Sequence, residues 1–353
     1  DEFRRFRMKK SLLKQIHIVS LIAGLALFVY LINQTGLATI LHYMEMLGWG
    51  FAFILLLSLL RNFMRAGSWF FAIEPGHRSV SFWQLTNVML AGEAIKYLTA
   101  TGPFLGEPAK AAMVRRQVPL LEGLSSVVVE SMIYYLSVFL FMLSGLPALA
   151  GVVALPGNLK LAGYVAAGFI IAGIAITALA VRGRWYVFTK LLESSARFAS
   201  PGKRSRMDDF ISRTRALEDN IYSFYENRRG AFYLILALNI SAHLINVVEV
   251  YLILALMQLP ASLFAGYVIE AVTKVINIAF FFVPTRAGVY ESGNALVFDA
   301  MGMTAAAGVA LAIIRKLRAF VWVGYGIAAI AFITIRDRQR MSYELEARDR
   351  SLD

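Results

Sequence analysis

Six stretches of the chain are apolar at nearly every position: Ile16–Ile32, Leu47–Ile73, Gly123–Leu146, Leu159–Val181, Ala231–Met257 and Thr304–Ile335. Each reaches the roughly 17–25 residues that carry a helix across the hydrocarbon of a bilayer, so each is predicted to span. Two further apolar segments, 81–116 and 261–300, are interrupted by charges and helix breakers. In the first, Gly102-Pro103 predicts a helix end, because proline has no N–H and collides with the preceding turn. Glu107-Pro108 predicts the start of the next helix, with proline at its first position and a carboxylate at the positive end of its dipole. The second segment repeats the order of residue types. Glu93, Lys96, Pro103, Gly106 and Glu107 in one are matched by Glu270, Lys274, Pro284, Gly288 and Glu291 in the other. Irregular backbone at membrane depth is tolerated only where protein covers it or it lines a wet cavity. Both segments are therefore predicted to be re-entrant helical hairpins.

Loop charge orients these elements. Arg4, Arg5, Arg7, Lys9, Lys10 and Lys14 precede the first span, and such a cluster holds the N-terminus in the cytoplasm. The loop 33–46 has no Lys or Arg and is expected outside. The loop 182–229 carries eleven Lys/Arg against six Asp/Glu and belongs inside. That placement requires the hairpin 81–116 to enter from the cytoplasm and return there, with Arg115 and Arg116 at its exit. Within the basic loop, Trp185–Phe198 and Asp208–Tyr225 read as amphipathic helices on the membrane surface, separated by Ser200-Pro201-Gly202. The block 304–335 reads as one outside-to-inside passage, leaving the charged tail 336–353 in the cytoplasm.

The fold class expected is thus an all-α polytopic membrane protein. After a basic segment, 1–15, two membrane repeats, 16–146 and 159–335, each contain three spans and one hairpin. The second set begins on the opposite side from the first, the inverted arrangement of secondary transporters with a site between halves.

Composition agrees with a membrane protein: 58% of the 353 residues are hydrophobic, 16% are charged, and the mean hydropathy is +0.62. A net charge of +12 would suggest nucleic acid in a soluble protein. Here it is accounted for by cytoplasmic loops, and no nucleic-acid partner is expected. The chain has no cysteine, which excludes disulfides and thiol chemistry. His17, His42, His77 and His243 are scattered and form no metal set, and no cofactor is expected. The motifs His-Glu-x-x-His, Gly-x-Ser-x-Gly and the phosphate-binding Gly-x-x-x-x-Gly-Lys are absent, so the chain is not expected to be an enzyme.

Charge inside a membrane costs roughly 2.5–3.5 kcal/mol per group on insertion scales, so intramembrane ionisable residues are the candidate site. Arg61 and Arg65 are four apart and share a helix face. With Arg286 they are the candidates for a phosphate, which a guanidinium grips with parallel hydrogen bonds. Glu93, Lys96, Glu107 and Lys110 in the first hairpin, and Glu270, Lys274 and Glu291 in the second, complete the substrate-binding candidates. Glu107 and Glu291 are expected to line one central polar cavity. Glu130, His243 and Glu249 form a second tier, the histidine as an interhelical hydrogen-bond partner. Arg315, Lys316 and Arg318 are read as interfacial or structural. The competing reading is that these charges only clamp the two halves together.

Two motifs resemble those of the lysylphosphatidylglycerol-synthase-type transmembrane family, the flippase-like membrane domain of multiple peptide resistance factors. Pro103-Phe104-Leu105-Gly106-Glu107-Pro108-Ala109-Lys110 is similar to the family's Pro-x-x-Gly-Glu followed by a basic residue. Pro284-Thr285-Arg286-Ala287-Gly288-Val289-Tyr290-Glu291 is similar to its Pro-x-x-x-Gly-x-x-Glu. The resemblance runs from about Ile16 to Arg336. The chain departs from it at Thr285-Arg286, where a double glycine is common, and at Glu130-Ser131 with Tyr134, where Glu-Arg and a nearby acid are common. The resemblance implies a protein that translocates lipid through two cavities entered from opposite leaflets, in a bacterial cytoplasmic membrane, with both termini inside. Two-part members carry a cytosolic aminoacyl transferase domain after the membrane domain. About eighteen residues follow Ile335, too few for one.

The function expected is a flippase for an anionic phospholipid, a polyprenyl-linked glycan or a hopanoid-type lipid, with membrane lipids as partners. The alternatives are a membrane-embedded lipid-modifying transferase with Glu107 or Glu291 as general base, and a scaffold with lipid-synthesis enzymes as partners.

Overall fold

The computed structural model describes residues 45–99, 103–152, 157–197, 201–280 and 288–349, and among them every regular element is helical. They are α1 (Gly50–Ala72), α2 (Phe82–Leu98), α3 (Pro103–Met113), α4 (Leu120–Val152), α5 (Gly157–Arg182), α6 (Val187–Ala196), α7 (Pro201–Asn227), α8 (Arg229–Leu256), α9 (Leu263–Ala279), α10 (Val289–Ala300) and α11 (Ala305–Asp349), with a 3-10 turn at Pro75–His77. The expected first span, its flanking loop and basic segment, Arg286 and both hairpin tips lie outside the described residues.

Among the described residues, five helices are long and apolar enough to cross a membrane: α1, α4, α5, α8 and the first part of α11. They coincide with five of the six predicted spans. The block after Thr304 is one unbroken helix, and it runs through the expected charged tail to Asp349. The interrupted segments each form a helix pair, with 17 and 11 residues in α2 and α3 and 17 and 12 in α9 and α10. Each is below the ~20 residues of a typical span.

Local chemistry starts these helices. Ser81 accepts the Gln84 N–H at 3.2 Å to cap α2, and Ser262 accepts the Ala265 N–H at 3.0 Å to cap α9. One boundary differs from expectation. The helix predicted to begin at Glu107-Pro108 begins at Pro103 instead, and Pro108 lies inside it. Pro103 is itself suited to the first helical position, and Pro108 removes only the N–H that would bond the Phe104 carbonyl. Glu107 is therefore not a first-turn dipole partner; lysines hold it. The same preference starts α7 at Pro201, ahead of the predicted Asp208.

The helices α1 and α8 make the most extensive packed pair. Helix α2 packs on α11 and α9 on α4, while α3 rests on α4 and α10 on α11. Two large apolar cores result, beside a small cluster of Phe141, Val247 and Ala271. Ala66, Trp69 and Ile73 of α1 join Leu85, Val114, Ile133 and Ile235 in one. Phe51 and Ile54 of α1 join Val250, Ile253, Phe298 and Leu311 in the other. On α1 the polar residues between the two sets are Ser58, Arg61, Asn62 and Arg65; on α8 they are Asn239, Ser241, His243, Asn246 and Glu249. A polar layer is thus held between two apolar ones.

The basic loop is docked rather than free. Glu218 of α7 accepts the backbone N–H groups of Phe188 and Thr189 at 3.0 and 3.1 Å, plus the Thr189 hydroxyl at 2.5 Å, and so caps α6 from another helix. Tyr186 donates its hydroxyl to Asp219 at 2.6 Å, which keeps the phenol protonated and raises its pKa. Arg228 donates to the carbonyls of Phe71, Ala72 and Ile73 at 2.7, 3.1 and 3.2 Å, satisfying the last turn of α1.

Candidate functional site

The polar layer consists of two ion-paired clusters. In the first, the Lys96 ammonium lies 2.6 Å from both Glu93 Oε1 and Glu107 Oε1, joining α2 to α3. Lys110 Nζ lies 2.5 Å from Glu107 Oε2 and 5.5 Å from the centre of the Trp69 ring. Arg65 Nη2 lies 3.3 Å from Glu130 Oε1 and 4.0 Å from Glu93 Oε1, and its guanidinium sits 3.9 Å over the Tyr134 ring. The α2–α3 crossing is close: a Cβ on Gly106 would lie 2.8 Å from the Gly92 carbonyl and collide with the Lys96 side chain. Glycine there lets the lysine stem lie across the crossing.

In the second cluster, Lys274 Nζ lies 2.8 Å from Glu270 Oε1, and Arg315 Nη2 lies 2.6 Å from Glu270 Oε2. Asn246 donates to Glu270 Oε1 at 3.1 Å. Glu249, fully buried, binds Arg318 and lies 3.4 Å from Arg315 Nε. Glu291 binds Lys316 with one oxygen and accepts the Gly288 N–H at 2.9 Å with the other, capping α10. The signs are exchanged between the clusters. Helix α1 brings arginine to a glutamate on α4, whereas α8 brings glutamate to arginines on α11.

Between the clusters is a cavity of about 280 Å³. Of the candidates, Arg61, Arg65, Glu93, His243, Glu270 and Lys274 line it. His243 Nε2 is 3.0 Å from Ser137 Oγ. That hydroxyl donates its proton to the Tyr134 carbonyl at 2.6 Å, so the imidazole N–H donates to Ser137, bridging α8 and α4. A second, larger space of about 1100 Å³ is a mostly apolar groove between α4 and α5. It runs from Phe104 and Glu107 on α3 to Arg182, Glu226 and Arg229 where α5, α7 and α8 meet.

The other candidates take different places. Glu107 faces the groove, not the central cavity, and Glu291 lines neither space; the expectation that both face one cavity is corrected. Lys96 and Lys110 hold the Glu107 carboxylate, and the Gly288 N–H and Lys316 hold that of Glu291. Lys96 bridges Glu93 on the cavity to Glu107 on the groove. Lys110 is 1% exposed and reaches neither space. Glu130 and Glu249 stand behind the arginines that line the cavity. Sequence reading did not count Asn62, Tyr134 and Asn246 as site residues, and it took as interfacial or structural three more residues that line the cavity wall, Arg315, Lys316 and Arg318. The signal for the last three was charge balance: Glu249, Glu270 and Glu291 needed partners inside the membrane.

The chain matches the family described as Lysylphosphatidylglycerol synthase TM region over residues 17–327, and it belongs to that family. Comparison with curated proteins and with solved structures found no match. Family membership gives the chain a membrane-lipid-related role, and its spanning helices make it an integral membrane protein.

Proposed function

We propose that this member of the lysylphosphatidylglycerol synthase transmembrane family is a lipid translocator that passes a head group through the central polar cavity while the acyl chains stay in apolar surroundings. One observation carries the reading: a wet-sized, ion-lined cavity lies between two apolar cores in a chain of membrane-spanning helices. Charges used only as clamps leave no reason for an open space among them. The apolar groove between α4 and α5 supplies an entry from the cytoplasmic leaflet, and the Glu107–Lys96–Glu93 bridge joins its inner end to the cavity.

In this reading α2–α3 and α9–α10 are re-entrant hairpins and the two halves form an inverted repeat. The exchanged packing supports it: α2 lies on the last helix of the second half, α9 on the last helix of the first, and α1 meets α8 on the axis. The loop charge supports cytoplasmic termini in a bacterial inner membrane.

The test is a proteoliposome assay with head-group-labelled lipid, followed by mass spectrometry of the recovered lipid. Translocation of unchanged lipid supports the proposal. A covalently altered lipid would make the protein a transferase, and no translocation of any bilayer lipid together with tolerance of charge removal in both hairpins would make it a scaffold.

A further inference from the structure

Two helix crossings that flank the polar layer are built alike. Helix α2 meets α11 where Ala94, the residue after Glu93, faces Gly326. A Cβ on that glycine would lie 2.5 Å from the Leu90 carbonyl oxygen and 2.7 Å from the Ala94 Cβ. Helix α9 meets α4 where Ala271, the residue after Glu270, faces Gly145, and a Cβ there would overlap the Ala271 methyl. The residue before each glycine carries a hydrogen bond across its crossing. Tyr325 donates its hydroxyl to Asn87 Oδ1 at 2.6 Å, and Tyr267 donates its hydroxyl to Ser144 Oγ at 2.7 Å. Gly326 lies beyond Arg318 toward the Arg336 end of α11, beside the start of α2. Gly145 lies beyond Glu130 toward the far end of α4, beside the start of α9.

The crossings bound different spaces. At the first, Leu90 and Val323 line the central cavity, whereas Asn87 and Tyr325, within one turn of them, line a separate space of about 580 Å³. That vestibule runs along Ala329 and Phe332 to Arg336, where the spanning part of α11 ends. Gln84, Asn87 and Gln117 bring three carboxamides to its wall, which suit it to water rather than to acyl chains. At the second crossing the space is filled. The Phe141 ring of the small apolar cluster lies 5.0 Å from the Tyr267 ring and 5.4 Å from that of His243 on the cavity wall.

We infer that the two crossings are the gates of the central cavity. Ala94–Gly326, pinned by Tyr325–Asn87, closes it toward the vestibule and the cytoplasm. Ala271–Gly145, pinned by Tyr267–Ser144, closes it toward the outside. The inference rests on the translocator reading for what passes, and on the geometry for where the cavity opens. A glycine–alanine contact has no interdigitated side chain to withdraw, and a neutral hydrogen bond contributes little net stability. No ion pair joins α2 to α11 or α9 to α4 among the described residues; those of α2 run to α1 and α3, and that of α9 to α11. Either crossing can therefore part without separating a buried charge from its partner, the step that makes buried ion pairs costly to break.

The test is cysteine accessibility in this cysteine-free chain. Ala319→Cys, on the cavity wall, reports access to the cavity, and Ala329→Cys, in the vestibule, reports the side to which the vestibule opens. Each is reacted with a small impermeant methanethiosulfonate in membrane vesicles of either orientation. Without gate substitutions, Ala329→Cys is expected to react fast from one side and Ala319→Cys slowly from both. Gly326→Ala is expected to speed the Ala319→Cys reaction at least about tenfold from the vestibule side alone, and Tyr325→Phe about fivefold, the population shift set by one net hydrogen bond. Gly145→Ala and Tyr267→Phe are expected to do the same from the opposite side alone. Gly324→Ala, in open space on α11, is expected to change nothing. Fast reaction of Ala319→Cys without a gate substitution, unchanged rates in folded Gly326→Ala and Tyr325→Phe proteins, or opening of both sides by one substitution overturns the inference. Should an alanine variant fail to fold, Tyr325→Phe and Tyr267→Phe, which leave the crossings themselves intact, decide. Sided opening without movement of any lipid would keep the gates and remove the translocator. Lipid movement with labelling that these substitutions leave unchanged would do the reverse.

Discussion

Replacing Lys96 by methionine separates the bridge between groove and cavity from the packing around it. Methionine keeps an unbranched stem of similar length across the Gly92–Gly106 crossing, where any larger residue in place of Gly106 would collide with it. What disappears is one ammonium that holds Glu93 and Glu107, each at 2.6 Å. Breaking a buried pair by removing one partner costs about 3–5 kcal/mol, because the other charge stays buried and uncompensated. Here Glu107 keeps Lys110 at 2.5 Å and Glu93 keeps Arg65 at 4.0 Å. Glu93 is also 40% exposed to the cavity. The loss should therefore fall at the lower end, about 3 kcal/mol, and the protein should remain folded. Stability is read from unfolding in mixed micelles, and function from translocation of head-group-labelled lipid in proteoliposomes. The bridge requires slowed translocation alongside the stability loss, whereas a clamp requires the stability loss with translocation intact in the remaining folded fraction. Full stability together with full translocation would refute both the bridge and the energetics assigned to it.

Glu249→Gln should destabilise the protein by about 3–5 kcal/mol, since it leaves Arg315 and Arg318 without their shared carboxylate; chemical denaturation in micelles checks it. Gly106→Ala should cost about 1–3 kcal/mol because the added methyl meets Lys96 and the Gly92 carbonyl, while Gly163→Ala, with open space around it, should stay within about 0.5 kcal/mol; paired melting curves compare them. Glu218→Ala should free the start of α6, seen as faster hydrogen exchange at Phe188 and Thr189 and earlier proteolysis of the loop near Arg197. In this cysteine-free chain, Ser205→Cys should be labelled by an impermeant maleimide only from the cytoplasm and Ala305→Cys only from outside; the opposite pattern removes the proposed topology.

The spans were legible because apolar runs of sufficient length leave few alternatives in water or lipid. Hydrophobicity does not fix where a helix begins, and there the reading slipped. Pro103 and Pro108 both satisfy the sequence rule for a first helical position, and the rule gives no preference between them. The structure starts the helix at Pro103 and keeps Pro108 inside it, giving up a single N–H. The same ambiguity moved the start of α7 from Asp208 to Pro201. Neither shift affects the spans.

The candidate site was legible where partners share a segment and hidden where they do not. Lys96 with Glu93 and Lys274 with Glu270 are one turn apart, so their pairing follows from helix geometry alone. Arg65 with Glu130, Arg315 with Glu270 and Arg318 with Glu249 are 65, 45 and 69 residues apart, and no local pattern announces them. Charge conservation does. Inside a membrane a cation must find an anion, so three cations in the last hydrophobic block imply carboxylates elsewhere at the same depth. In the proposed repeat, the same rule accounts for a likeness that is faint in sequence and carried by the pairs. What recurs is an opposite-sign pair, between α1 and α4 and again between α8 and α11, with the sign on each helix free to change. Arg65–Glu130 and Glu249–Arg318 satisfy the same electrostatic demand with the residues exchanged.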